Sequence, residues 1–426
     1  MNKFSLIWKT KDLRWKIVMV IALLLVTRIL VHIPIPGINA EGLKNLFQDN
    51  GIVNLLNLFS GGGLSNFSIA LLGVGPYITA SIIMQLLTMV VPSLTELQKE
   101  SGEAGRAKIN QYTRFLTIPL ALISGFGTIR LIQSQGGAAI LGTFSPFQWF
   151  LTLLAVTAGT MLIMWIGEII TEYGIGNGLS LIIFAGIVAS LPASVRSFDE
   201  LYDPTKLPLV IGFLAVSLLV IAGVVLVSEA QRNVAVSYAK RVRGDRVVGG
   251  VNSHLPLRLN QAGVIPIIFA LSLMMFPAII GQFFLNAKNA MVAEYARKII
   301  DFSQSQGLWY GVVYFLLVVL FTYFYTNIVI NPDEVAENMQ RNGGFVPGLR
   351  PGRQTADYLY KVLNRITLPG SLFLGLIAVL PFILQKWTGT QTLTFGGTGL
   401  LIVVAVVIET IKQVEAQLTM HDYQGY

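Results

Sequence analysis

Leu55-Leu56-Asn57-Leu58-Phe59 is an apolar stretch that runs directly into Ser60-Gly61-Gly62-Gly63. It resumes as Leu64-Ser65-Asn66-Phe67-Ser68-Ile69-Ala70-Leu71-Leu72 and breaks again at Gly73-Val74-Gly75-Pro76. Only from Tyr77 to Val91 does an uninterrupted apolar helix follow. Lipid cannot satisfy freed backbone N–H and C=O groups, so irregular backbone at membrane depth survives only when packed in protein or lining a watery cavity. The stretch therefore predicts a cavity or pore within a membrane protein.

Composition agrees. The chain has 426 residues, 54% hydrophobic and 12% charged, with mean hydropathy +0.66. Soluble domains carry about 25% charged residues. The basic start, Met1 to Lys16, leads into an apolar stretch that ends in His32-Ile33-Pro34-Ile35-Pro36 without a small-residue cleavage site, so the first span is expected to be retained. Cysteine is absent, which excludes disulfides, thiolate catalysis and cysteine metal sites.

Windows of about 20 apolar residues cross the hydrocarbon core. Ten are expected, at 17–33, 73–91, 115–132, 148–169, 178–191, 208–228, 261–284, 308–330, 367–385 and 397–412. With a cytoplasmic N-terminus, 21 of the 30 Lys and Arg fall in inside segments and 8 outside; Arg28 lies within the first span. The excess of inside cations favours that orientation, with both termini cytoplasmic. Two inside loops are long and basic, 229–259 and 331–366. Topology retention explains their charge, but not thirty residues of length; docking of an acidic or nucleic-acid-bearing partner explains both.

The second span opens Gly73-Val74-Gly75-Pro76-Tyr77-Ile78 and the seventh Gly263-Val264-Ile265-Pro266-Ile267-Ile268, both G-V-x-P-x-I. The fifth opens Gly176-Asn177-Gly178-Leu179 and the tenth Gly397-Thr398-Gly399-Leu400. Matches at corresponding places in two halves of five spans imply inverted repeats, because an odd span number reverses orientation. Chance matching between aliphatic sequences is the alternative. The expected fold is an all-α polytopic membrane protein with ten helices in two inverted halves, residues 1–195 and 196–426, around a central path.

That path looks dry. A solute carrier places a carboxylate, His or Arg near the midplane, whereas the candidate lining residues are Val74, Ile78, Leu179, Ile183, Ile268 and Ile402. Glu168, Glu229 and Glu409 lie near cytoplasmic span ends, and Arg28 suits pairing with a neighbouring helix or snorkelling. An aliphatic constriction gates by dewetting and cannot select by charge. It suits a large, chemically variable passenger. His32, His254 and His421 are scattered, and H-E-x-x-H, G-x-x-x-x-G-K-[ST] and G-x-S-x-G are all missing, so neither catalysis nor a metal site is expected.

The chain resembles the SecY/Sec61-alpha family from about Lys11 to His421. The resemblance is carried by Ile33-Pro34-Ile35-Pro36-Gly37-Ile38, Asn57-Leu58-Phe59-Ser60-Gly61-Gly62, Pro76-Tyr77-Ile78-Thr79-Ala80-Ser81, Tyr173-Gly174-Ile175-Gly176-Asn177-Gly178, Leu255-Pro256-Leu257 and Phe345-Val346-Pro347-Gly348-Leu349-Arg350-Pro351-Gly352. It implies an hourglass pore that passes unfolded polypeptides and releases membrane segments sideways to lipid. A short plug helix at about 54–67, including Asn57, Phe59, Ser60, Gly61, Gly62, Gly63 and Leu64, would block the outer funnel, hinged at Gly61 to Gly63. Val74, Ile78, Leu179, Ile183, Ile268 and Ile402 would form the waist. Gln85 and Asn177 match polar positions near plug and gate.

The same resemblance implies a lateral gate between the second and third spans and the seventh and eighth, and docking of the motor SecA or a ribosome on Lys240, Arg241, Arg243, Arg246, Arg350 and Arg353. It further implies SecE and SecG as companions, signal sequences, nascent polypeptides and membrane lipid as contacts, no cofactor, and a bacterial cytoplasmic membrane. The competing reading is a small-solute transporter, which shares the broken helices and repeat but requires midplane charge.

Overall fold

The computed structural model describes residues 10–35, 57, 60–100, 102–133, 145–199, 207–238, 240–243, 246–249, 252–285, 289–304, 307–388 and 395–424. Each expected span coincides with a helix. These are α1 (Lys11–Val31), α2 (Gly75–Val90), α4 (Gly102–Ile132), α5 (Pro146–Tyr173), α6 (Gly178–Asp199), α7 (Leu207–Glu229), α8 (Ile265–Phe284), α10 (Leu308–Val329), α12 (Arg353–Thr388) and α13 (Phe395–Gln424). Apolar stretches within α4, α5, α8, α10 and α12 reach a mean hydropathy of 1.8 to 2.1 over 18 residues, enough to cross a bilayer. The protein is a multi-pass, mostly helical membrane protein.

Several helices outrun their apolar windows. α4 starts at Gly102, α12 at Arg353, and α13 continues to Gln424, because polar helix formers extend a helix into water once the membrane segment has nucleated it. Among the described residues, three further helices do not read as apolar spans: α3 (Pro92–Glu100), α9 (Ala290–Gln304) and α11 (Pro332–Arg341). Their lengths of 9, 15 and 10 residues and their charges hide them from a 20-residue apolar scan.

The two long loops are not separate and not irregular. β1 (Gln231–Tyr238) pairs antiparallel with β4 (Asn252–Arg258), and β2 (Lys240–Arg243) with β3 (Arg246–Gly249). From the other loop β5 (Gly344–Phe345) joins β1, Ser237 opposite Phe345, giving the order β4-β1-β5. The alternating Val234 and Val236 point inward and bury with Leu257, Met339, Val346 and Leu359. That period-two pattern is the strand signal, and it gives the two loops one shared core.

Of the plug helix expected at about 54–67, Asn57 and residues 60–67 are described, and Asn57 is helical. Residues 58–59 and 36–56 lie outside the described set, so Phe59 is not placed; residues 60–74 form consecutive turns rather than a helix. Gly61, Gly62 and Gly73 hold φ of 65°, 91° and 53°, and even Phe67 sits at 41°, a region that L side chains avoid. The turns are nevertheless well bonded. Asn57 Oδ1 accepts from Ser65 N at 2.9 Å, Ser60 Oγ accepts from Leu64 N at 3.0 Å, and Ile35 N donates to Phe67 O at 3.0 Å. Leu64 and Phe67 are almost wholly buried with Ile35, Ala121, Ile129 and Val156, against α4 and α5.

Candidate functional site

A cavity of about 430 Å³ opens between α2, α4, α5, α6 and α8. Its apolar end is formed by Ile78, Leu179, Ile183 and Ile268. Val74 and Ile402, both fully buried, do not line this cavity; they belong to the same extended apolar core, so four of the six residues expected at the waist share the cavity. The local sequence explains how they are aimed. α2 and α8 each start at a valine cap followed by proline in the first turn, Val74 at φ −92°, ψ −1° and Val264 at φ −93°, ψ −7°. One turn on, this device places Ile78 and Ile268 in corresponding positions. The second repeat pair is less alike: α6 opens at Gly178, whereas α13 is already helical at Phe395, before Gly397.

The rest of the cavity wall mixes polar side chains with Tyr77, Ile265, Phe269 and Tyr325. Ser81, Gln85, Asn177 and Ser180 stand above the isoleucines, and Arg114 Nε donates to Glu168 Oε1 at 2.9 Å. With 45% and 20% of these side chains exposed, the pair contributes about 0–1 kcal/mol; its effect is on the charge at the mouth. Glu229 is paired likewise, with Lys412 at 2.8 Å. Charge therefore sits around the opening and aliphatic carbon at the floor.

Gln85 and Asn177 both line this cavity, but on the side of the floor away from the turns at 60–74. Gln85 lies seven residues into α2 beyond Ile78, about 10 Å along the axis. Its Nε2 donates to Ser81 Oγ at 3.2 Å, within its own helix. Asn177 Oδ1 accepts from Ser180 N at 3.2 Å and so caps α6. A further cavity of about 260 Å³ adjoins, sharing Asn177, Ile265 and Tyr325 and bounded by Arg258, Glu409 and Lys412.

Across the floor the turns press on α6. Had Gly186 a Cβ, it would stand 2.5 Å from the Gly61 Cα, so these two backbones touch. Arg28, the one cation within the first span, donates from Nη1 to Gly61 O at 2.5 Å. It pairs with a neighbouring backbone and fixes the glycine run from α1. Only about 20 Å³ of space remains between Arg28, Gly61, Gly73 and Gly186, roughly the room of one water.

The side chains at the border of the third and seventh spans were not singled out in the sequence. α4 and α8 meet tightly: a Cβ on Gly127 would lie 2.5 Å from Ile279 Cγ2, and Phe126 stacks on Phe283 with centroids 4.7 Å apart. Arg130 covers both Phe126 and Trp149, at 5.4 and 5.0 Å. The available signal was Gly127 itself, since small residues mark close helix approach in membranes. The aromatic positions look like lipid-facing ones.

The docking candidates fall in two places, the separate β2–β3 hairpin and the loop that leads into α12. Lys240, Arg241 and Arg243 lie on β2 and Arg246 on β3, with Arg243 opposite Arg246 at the hairpin end. Arg350 and Arg353 are exposed. The Arg350 carbonyl accepts from Thr355 Oγ1 at 2.9 Å, and Leu349 N donates to Val346 O at 3.0 Å, so this loop is tied to the shared core.

Comparison with known proteins gives a consistent answer. The SecY family model matches residues 68–411. The protein translocase subunit SecY of Streptomyces galbus is 43% identical over 439 aligned residues, covering 100% of this chain and 99% of its own. Among solved structures, a SecY studied for a plug domain that stabilises the closed state of its channel and maintains a membrane seal has a TM-score of 0.62 at 18% identity. It covers 93% of this chain and 91% of its own. Sec61 in a canine ribosome-channel complex has a TM-score of 0.58 at 19% identity, with the same two coverages.

Proposed function

The chain belongs to the SecY family of protein translocase subunits, and from that premise we propose a division of labour among its residues. It is a protein-conducting channel subunit, not an enzyme. Unfolded polypeptide enters the polar vestibule, passes the ring of Val74, Ile78, Leu179, Ile183, Ile268 and Ile402, and leaves past the turns at 60–74. The meeting of Ile78, Leu179, Ile183 and Ile268 at one end of a partly polar cavity, with Val74 and Ile402 in the apolar core behind them, carries this reading. Aliphatic side chains conform to any passing sequence and exclude water when it is absent. A solute carrier needs its charge at ring level; here Arg114 and Glu168 pair at the mouth.

The stretch at about 54–67 acts as the plug, its turns from Ser60 packed on the outer side of the ring with Gly61 against Gly186 of α6. Arg28 and the Gly61–Gly186 contact favour the closed position. The α4–α8 seam is the lateral gate, releasing apolar segments and signal sequences to lipid. Residues 1–195 and 196–426 are the two inverted halves that part along it. Gln85 and Asn177 present polar groups to the entering chain.

As a translocase subunit the protein works in a complex, and the finer assignments are those the family resemblance implies. SecE and SecG accompany it in a bacterial cytoplasmic membrane, with both termini cytoplasmic. SecA or a ribosome docks on Lys240, Arg241, Arg243, Arg246, Arg350 and Arg353. The apolar core that both loops share, beside Arg350 and Arg353, supports a firm docking platform at those two residues. Arg350→Glu is expected to abolish motor-driven export while the protein stays inserted and folded; normal export would remove Arg350 from the contact.

The gate reading is tested on a cysteine-free background. Phe126→Cys with Phe283→Cys, oxidised, is expected to block both export and membrane insertion, and reduction to restore them. Undiminished transport with the bridge formed would refute the gate.

A further inference from the structure

α9 joins the far ends of α8 and α10, away from the sheet, with exposed Phe284 before it and exposed Trp309 after it. Its 15 residues cover about 22 Å at 1.5 Å each, too short for a core of about 30 Å. At 100° per residue its side chains divide into three sectors, not the usual two. Ala296, Ile300 and Ser303 form the first and are buried. They pack on α8, where a Cβ on Gly281 would meet Ile300 Cγ1 at 3.1 Å and Ala296 O at 3.4 Å. Glu294, Arg297, Lys298 and Asp301 form the second, exposed, with Lys298 Nζ 2.7 Å from Glu294 Oε1. Met291, Val292, Tyr295, Ile299 and Phe302 form the third. They are large and apolar, yet Met291 is 71% and Tyr295 66% exposed.

We propose that α9 lies along the membrane–water interface with this third face seated in lipid. Three observations choose lipid as the occupant. Both ends of α9 are tied to the ends of spanning helices, which holds it at interfacial depth. The exposed apolar sector, with Tyr295 on it and Trp309 just after it, has the aromatic character of an interfacial belt. The charged sector carries two acids and two bases, so its net charge is zero and it turns to water rather than recruiting an acidic or basic partner. Gly281, against which α9 packs, stands between Ile279 and Phe283 of the α4–α8 seam. Seated in lipid, α9 therefore fixes the height of that end of α8.

The absence of cysteine makes single-site labelling direct. The complex carrying Tyr295→Cys, Met291→Cys, Arg297→Cys or Asp301→Cys is labelled with an environment-sensitive fluorophore. Each is reconstituted in phosphatidylethanolamine–phosphatidylglycerol vesicles containing a lipid with brominated acyl chains. Labels at 291 and 295 are expected to be quenched by bromolipid several-fold more than labels at 297 and 301, with no change as the phosphatidylglycerol fraction rises. Equal quenching of 295 and 297 by aqueous iodide would overturn the proposal, because the face would then be solvated. Shielding of 291 and 295 from both quenchers would overturn it equally, because a protein partner would then cover the face. Should Tyr295→Cys fail to assemble, Met291→Cys carries the test on the same sector.

Discussion

α2 and α8 open alike but rise from unlike ground. Each follows a glycine in the left-handed region, Gly73 at φ 53° and Gly263 at φ 63°, then a valine cap and a proline. Before α2 the chain makes a run of turns pressed against α4, α5 and α6, leaving about 20 Å³ beside Gly73. Before α8 it descends from β4, and Gly263 and Val264 border about 260 Å³. There the cap is steadied by Asn260 Nδ2 donating to Gly263 O at 3.1 Å. The repeated motif encodes how a helix starts. The inversion decides whether that start is sealed in protein or opens onto a vestibule.

The comparison breaks most severely at Gly63. A Cβ there would stand 2.3 Å from Ala70 O and 2.9 Å from its carbon, backbone that cannot yield without undoing the turns. Gly63→Val is expected to cost more than about 4 kcal/mol, read as loss of the folded fraction on denaturant titration of the reconstituted complex. A cost under about 1 kcal/mol would mean that the sealed start is as loose as the open one. Arg28→Leu is the intermediate case. It removes the charged donor from Gly61 O and should cost about 1–2 kcal/mol, with plug opening more frequent by accessibility labelling. Unchanged labelling would show that α1 does not hold the turns. Gly263→Ala should cost least. Nothing lies within 4 Å of its Cβ, so only the left-handed backbone resists, by about 1 kcal/mol. A much larger loss would show that the open start is packed after all.

The helical spans and the matched starts of α2 and α8 were legible because each rests on local signals: apolar length and the glycine–proline pattern. The site's other parts depend on contacts between distant segments. Ser237 meets Phe345 only after six helical spans have placed β1, so nothing local announced that two loops form one sheet. The Phe126–Phe283 stack is likewise indistinguishable in sequence from aromatics facing lipid. α9 was hidden because its apolar residues divide between a protein face and an exposed face, and neither reads as a span. Over residues 60–76 the glycines announced irregular backbone packed in protein, and they supply the positive-φ positions that its turns need.

The central claim is that the aliphatic ring is needed, beside the plug, to hold the path dry. Replacing Ile78, Ile183 and Ile268 together with glycine, and recording current across a planar bilayer holding the complex without motor or ribosome, tests it directly. A steady ion leak, with the unaltered complex silent, is the predicted result; a triple variant as silent as the unaltered complex would contradict it.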